Sequence, residues 1–116
     1  MKSKNLQFST GFHVVMGNRD AQAATMTLAP GTAEGGPENR HRGADQWLHI
    51  VSGSGTATIN GKHHPVSEGI LMLIEHGDEH EIRDTGDTLL RTLNVYVPPA
   101  YSPDGKELSC GAKLKR

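Results

Sequence analysis

Cysteine is almost missing from this chain: a single Cys110 excludes an intrachain disulfide and any cysteine-rich zinc site. Charge of one sign is missing too. Twelve Lys and Arg against thirteen Asp and Glu leave a net charge of -1, which supplies no basic footprint for nucleic acid. The longest unbroken apolar run, Ile70 to Ile74, has five residues, against the ~20 that a membrane-crossing helix needs. The opening stretch MKSKNLQFSTGFH lacks the apolar core of a signal peptide. These absences together lead us to expect a cytoplasmic protein with no nucleic-acid and no membrane partner. No window of helical length shows an apolar stripe of period 3.6, so little or no helix is expected. There is no Gly-x-Ser-x-Gly, no phosphate loop and no dinucleotide fingerprint, and nothing beside Ser52-Gly53-Ser54-Gly55 offers a base.

What is present is glycine, 14 residues in 116, and short β-prone segments. A chain of this length has room for one core, so a single domain over residues 1–116 is expected. Strands are expected over 11–16, 23–29, 46–52, 55–59, 69–74, 79–84 and 89–97, rich in Val, Ile, Thr and Leu. Turn chemistry separates them, and Asn60-Gly61 is the strongest signal because a type I′ hairpin turn needs positive φ at both central residues. The pattern predicts an all-β antiparallel barrel or sandwich spanning about 11–99. Val97-Pro98-Pro99 closes it, and a polar tail covers about 102–116. The segment Gly69 to Glu75 is apolar on both parities. One face can fill a barrel, and the other must meet a second layer or another subunit, so a homodimer is expected.

Seven histidines are the oddest count, and neutral imidazole is the commonest metal ligand. Asn39 and His41 share strand parity, Gln46 opens the next strand, and His80 begins another just after Gly77. If the Gln46 and His80 strands are neighbours, these four side chains converge inside the barrel. His76 and His80 lie four apart, but the intervening glycine speaks against a helix, which puts His76 at the rim. His63-His64 reads as a solvated loop. His49 has opposite parity to Gln46 and points away from the pocket, as does Trp47, a structural or interfacial residue. Asp45 enters the site only if the bulge before it slips by one residue.

The stretch from Gly36 to Pro99 resembles a cupin. The first cupin motif has two histidines one residue apart, then a glutamate, then a glycine seven residues on. Here Asn39, His41, Gln46 and Gly53 keep that spacing. The second motif runs glycine, proline, glycine, histidine, asparagine, and Gly69, Glu75, Gly77, His80 and Asp84 keep its spacing. The resemblance implies a small jelly-roll barrel, a double-stranded β-helix. It also implies a divalent transition metal (Zn, Fe, Mn or Ni) on Asn39, His41, Gln46 and His80. The departures matter: amides stand for the first histidine and the glutamate, and amide oxygens hold a divalent ion more weakly than carboxylate.

Two readings of function follow. In the first, the barrel binds a metal and acts on a small polar molecule as an isomerase, decarboxylase or dioxygenase. Met72, Ile74, Asn94 and Tyr96 would be substrate-binding candidates, and Glu79 or Asp45 the available bases. In the second, the barrel binds or senses a small ligand without metal. Tyr101 is a candidate cap for the mouth. Arg40, Arg42 and Arg91 are solvated unless the ligand is an anion.

Overall fold

The computed structural model describes residues 1–36 and 43–106. Nine strands follow one another: β1 (Gly11–Gly17), β2 (Gln22–Leu28), β3 (Ala33–Gly36), β4 (Asp45–Ser52), β5 (Ser54–Ile59), β6 (Lys62–Ser67), β7 (Leu71–Ile74), β8 (His80–Arg83) and β9 (Leu90–Val97). There is no helix among the described residues. A five-stranded sheet, β1-β2-β9-β4-β7, faces a four-stranded sheet, β3-β8-β5-β6, and every pairing is antiparallel.

Alternation decides what each strand buries. In β4, Gln46, Leu48 and Ile50 are buried while Trp47 is exposed and His49 half-buried. In β9, Leu90, Thr92, Asn94 and Tyr96 point inward. Met26, Leu28, Leu48, Ile50, Ala57, Val66, Ile74, Ile82 and Leu90 form the main core between the sheets. Burying one such side chain contributes about 1.5–3 kcal/mol. Asn60 and Gly61 carry φ of 50° and 82°, the pair of positive values that the I′ turn demands, and this sets the β5–β6 register. Gly53 is needed twice over: its φ is +93°, and a Cβ there would sit 2.4 Å from the Leu89 carbonyl oxygen.

Three expectations change. Lys62–Ser67 is a strand, not a solvated loop: the Asn60-Gly61 turn lays it against β5 despite its polar composition, and Pro65 is tolerated because β6 is an edge. Ala33–Gly36, with no apolar alternation, becomes a strand by pairing with β8. The apolar stretch from Gly69 begins its strand only at Leu71, because Gly69 and Ile70 are held in a turn against Ile50 and Ser67.

Asp84, where the cupin motif has asparagine, is fully buried. Its Oδ1 accepts the Gly86 N–H at 3.0 Å, while Oδ2 has no hydrogen-bond partner. A buried carboxylate oxygen without a donor is costly. Asp84→Asn keeps the Gly86 contact and removes the charge, so urea unfolding at neutral pH should show a gain of about 1 kcal/mol.

Candidate functional site

Gln46 and His80 do converge, though not as neighbours. Gln46 belongs to β4, between β9 and β7, and His80 to β8, between β3 and β5. Strand parity gives the face a residue occupies but not its sheet, and the two side chains line one cavity between the sheets. They line a cavity of about 160 Å³ together with Phe12, Met26, Ile82, Tyr96 and Tyr101, with Glu34 and Gly105 completing the wall. Asn39, His41, Arg40 and Arg42 lie outside the described residues, as does the tail from 107.

Gln46 is 3% exposed, and its Nε2 donates to Asn94 Oδ1 at 2.8 Å. That bond fixes the amide, leaving Oε1 buried with no hydrogen-bond partner. Asn94 in turn donates to Thr92 Oγ1 at 3.0 Å, and the Thr92 hydroxyl donates to the Met26 carbonyl at 2.8 Å. Asn94 thus has inward parity but is occupied in buttressing Gln46. Met72 and Ile74 pack with the main core, not among the residues around the cavity, whereas Tyr96 lines it.

His80 is 4% exposed. Its Nδ1 lies 3.3 Å from the Asp78 carbonyl oxygen, which can only accept. That contact orients the ring with a hydrogen on Nδ1.

The mouth is aromatic. Tyr101 packs against Phe12 (centroids 4.6 Å apart) and meets Tyr96 edge-on at 5.0 Å. Buried Gln22 clamps the Tyr101 backbone at both ends, its Nε2 donating to the Tyr101 carbonyl (2.7 Å) and its Oε1 accepting the Tyr101 N–H (3.1 Å). This clamp and Glu34 escaped the sequence reading. Gln22 sits on an inward parity shared with Ala24 and Met26, and that was the available signal for the clamp. Nothing marked Glu34.

Asp45 does not reach the site, because its Oδ1 accepts both the backbone N–H of His76 (2.9 Å) and the His76 ring Nδ1 (2.8 Å). The ring hydrogen bond from His76, then its backbone N–H, hold the Asp45 carboxyl below the usual carboxylate range. A lowered carboxyl pKa gives stability that is present above the unfolded value and lost as pH falls through the folded one. His76 is 61% exposed and Asp45 37%, so solvent screens the pair and Asp45→Asn should cost less than about 1 kcal/mol at neutral pH. In acid unfolding that difference should vanish once the wild-type carboxyl is protonated, below the ordinary aspartate range. His76 is exposed and is not among the residues lining the cavity, and His49 faces outward with its Nδ1 on the Ile70 carbonyl at 3.2 Å.

The donors fit a cation in part. An imidazole and an amide oxygen with no donor suit a borderline divalent ion. No group of three His, Cys, Asp or Glu comes together among the described residues, so a full shell would draw on His41 and Asn39. A second, shallower depression of about 440 Å³ between Met1, Met16 and Val95 gathers no such donors.

Comparison with known proteins agrees with this fold. The sequence pattern of the Cupin domain family matches residues 24–96. An oxalate-binding protein of Thermotoga maritima is 33% identical over 82 residues, covering 71% of this chain and 66% of that protein. The chain therefore spans just under two thirds of that relative's length. A crystal structure described as a predicted oxalate decarboxylase from Thermotoga maritima is similar at 28% identity and TM-score 0.68, covering 76% of this chain and 79% of that one. The TT1209 protein of Thermus thermophilus shares the fold at TM-score 0.74 and 17% identity, covering 84% of this chain and 98% of that one.

Proposed function

The chain belongs to the cupin domain family, and from that premise we propose that it binds a small dicarboxylate between its sheets, on a divalent transition metal held by His80 and Gln46 with His41 and Asn39. The observation that carries this reading is the buried, unpartnered Gln46 Oε1 in a cavity that the oriented His80 ring also lines. A bound metal would supply a positive charge that no carboxylate of this donor set offsets, which favours an anionic ligand. The cavity of about 160 Å³ corresponds to roughly five water volumes, room for a ligand of oxalate size rather than a sugar. The likeness to an oxalate-binding protein supports the same class. Phe12, Tyr96 and Tyr101 shield the ligand from water. Glu34 at the mouth is an exposed acid that would disfavour larger anions reaching past it.

Elemental analysis of untagged protein tests the reading, beside a His41→Ala/His80→Ala double variant. Close to one metal per chain is expected in the wild type and none in the variant. Oxalate should raise the melting temperature only with metal bound. Stabilisation by oxalate without metal would move the function to metal-free ligand binding, and no stabilisation by any small carboxylate would end the proposal.

A homodimer belongs to the same proposal. Residues 1–10 cover the β1–β2 end of the five-stranded sheet's outer face, with Lys2 on the Gly17 carbonyl, Lys4 on that of Val15, and Gln7 accepting from Thr25. At the other end Trp47, Leu71, Leu73 and Val97 stand 42%, 62%, 44% and 40% exposed. Trp47 lies directly opposite Leu73 in the register, so these side chains share one outward surface. A second copy meeting it about a two-fold axis would cover like with like.

A further inference from the structure

We propose that Asn60, on the hairpin turn of the facing sheet, is a positioning residue that fixes the tautomer and orientation of His80 through one peptide unit. The inference rests on the ligand role proposed for His80.

Asn60 Oδ1 accepts the Glu79 N–H at 3.0 Å, and the Asn60 N–H donates to the Glu79 carbonyl at 2.8 Å. Asn60 Nδ2 donates to Asp78 Oδ1 at 3.0 Å. Asp78 Oδ2 accepts the Glu75 N–H at 3.0 Å, and the Asp78 N–H returns to the Glu75 carbonyl at 3.0 Å. The turn before β8 is thereby tied at both peptides flanking Glu79.

The Asp78–Glu79 peptide is the key unit. A trans peptide is planar, so its N–H and C=O point in opposite directions. Asn60 Oδ1 holds the N–H side, which aims the carbonyl at the other side, where His80 Nδ1 lies 3.3 Å away. The carbonyl can only accept, so the ring hydrogen is kept on Nδ1, in a ring that lines the cavity with Gln46. A partner that fixes the non-ligating nitrogen in this way typically contributes 10–100-fold in metal affinity.

Asn60 has φ +50°, so glycine keeps the turn while removing both side-chain bonds. Nitrogen-15 shifts of the His80 ring, recorded on the full chain with chelator at one pH above imidazole titration, read the tautomer without metal. Wild type should show one tautomer with hydrogen on Nδ1. Asn60→Gly should show a mixture and bind zinc(II) about tenfold more weakly. Asn60→Asp sets two carboxylates together and should also mix the tautomers. The Asn60→Asp/Asp78→Asn swap rebuilds every contact with donor and acceptor exchanged, and should restore the single tautomer even if Asn60→Gly fails to fold. An unchanged tautomer in Asn60→Gly, or a folded swap that does not restore it, would overturn the inference even if stability falls. Tautomer mixing in a protein whose wild type binds no zinc would leave Asn60 as the positioning residue and remove the ligand role of His80.

Discussion

Gln46→Glu should make the protein less stable without metal and more stable with it. The cupin motif has glutamate here, and a carboxylate adds charge where Gln46 offers only an amide oxygen. On charge alone the change would simply tighten metal binding. The surroundings of Gln46 add a second effect. Gln46 Nε2 donates to Asn94 Oδ1, and a carboxylate would set two acceptors against each other. Asn94 cannot relieve the clash by flipping its amide, because Oδ1 would then face Thr92 Oγ1, whose hydrogen is given to the Met26 carbonyl. The variant therefore buries an uncompensated charge in a site where the residue is 3% exposed. Loss of about 2–3 kcal/mol is expected in chelator. With saturating manganese or zinc the order should reverse, which requires the dissociation constant to fall more than about two-hundredfold, the equivalent of ~3 kcal/mol, since the charged oxygen replaces a neutral one. Paired urea titrations with and without metal measure both signs. Equal metal affinity in the two proteins would place Gln46 outside the donor set.

The residues that were legible in the sequence are those whose local chemistry is self-sufficient. Asn60-Gly61 announces its turn because few residue pairs accept two positive φ values, and Gly53 stands where no Cβ fits. Gln46 and His80 were placed inside by parity and motif spacing, since a period of two leaves no third choice of face. What parity cannot give is which sheet a strand joins, and so the two were expected side by side and are found face to face. Strands β3 and β6 were missed because their pairing partners, not their composition, make them strands. Asn94 shows a further limit. Its inward direction was readable, but its engagement with Gln46, Thr92 and the backbone of Ala24 depends on residues up to 70 positions away.

The outer surface of the five-stranded sheet makes the other large prediction. A Trp47→Arg/Leu73→Asp double variant should sediment as a monomer at concentrations where the wild type is a dimer, with its fold and its metal content intact. Trp47 and Leu73 are cross-strand partners, so the two changes fall at one point of the surface. About a two-fold axis each residue faces copies of the same patch, which doubles the effect of every substitution. Buried aromatic anchors commonly cost about 2 kcal/mol or more on truncation, and a desolvated charge adds to that, so dissociation should rise by at least about a hundredfold. Parity separates the proposed ligand Gln46 from this surface: Trp47 and Leu73 point out while Gln46 and Ile74, their chain neighbours, point in. Monomerisation with unchanged metal binding would separate the two faces of β4 into an interface and a pocket. A wild type already monomeric by analytical ultracentrifugation would assign the exposed Trp47, Leu71, Leu73 and Val97 to some other partner, because an apolar patch of this kind is seldom left bare.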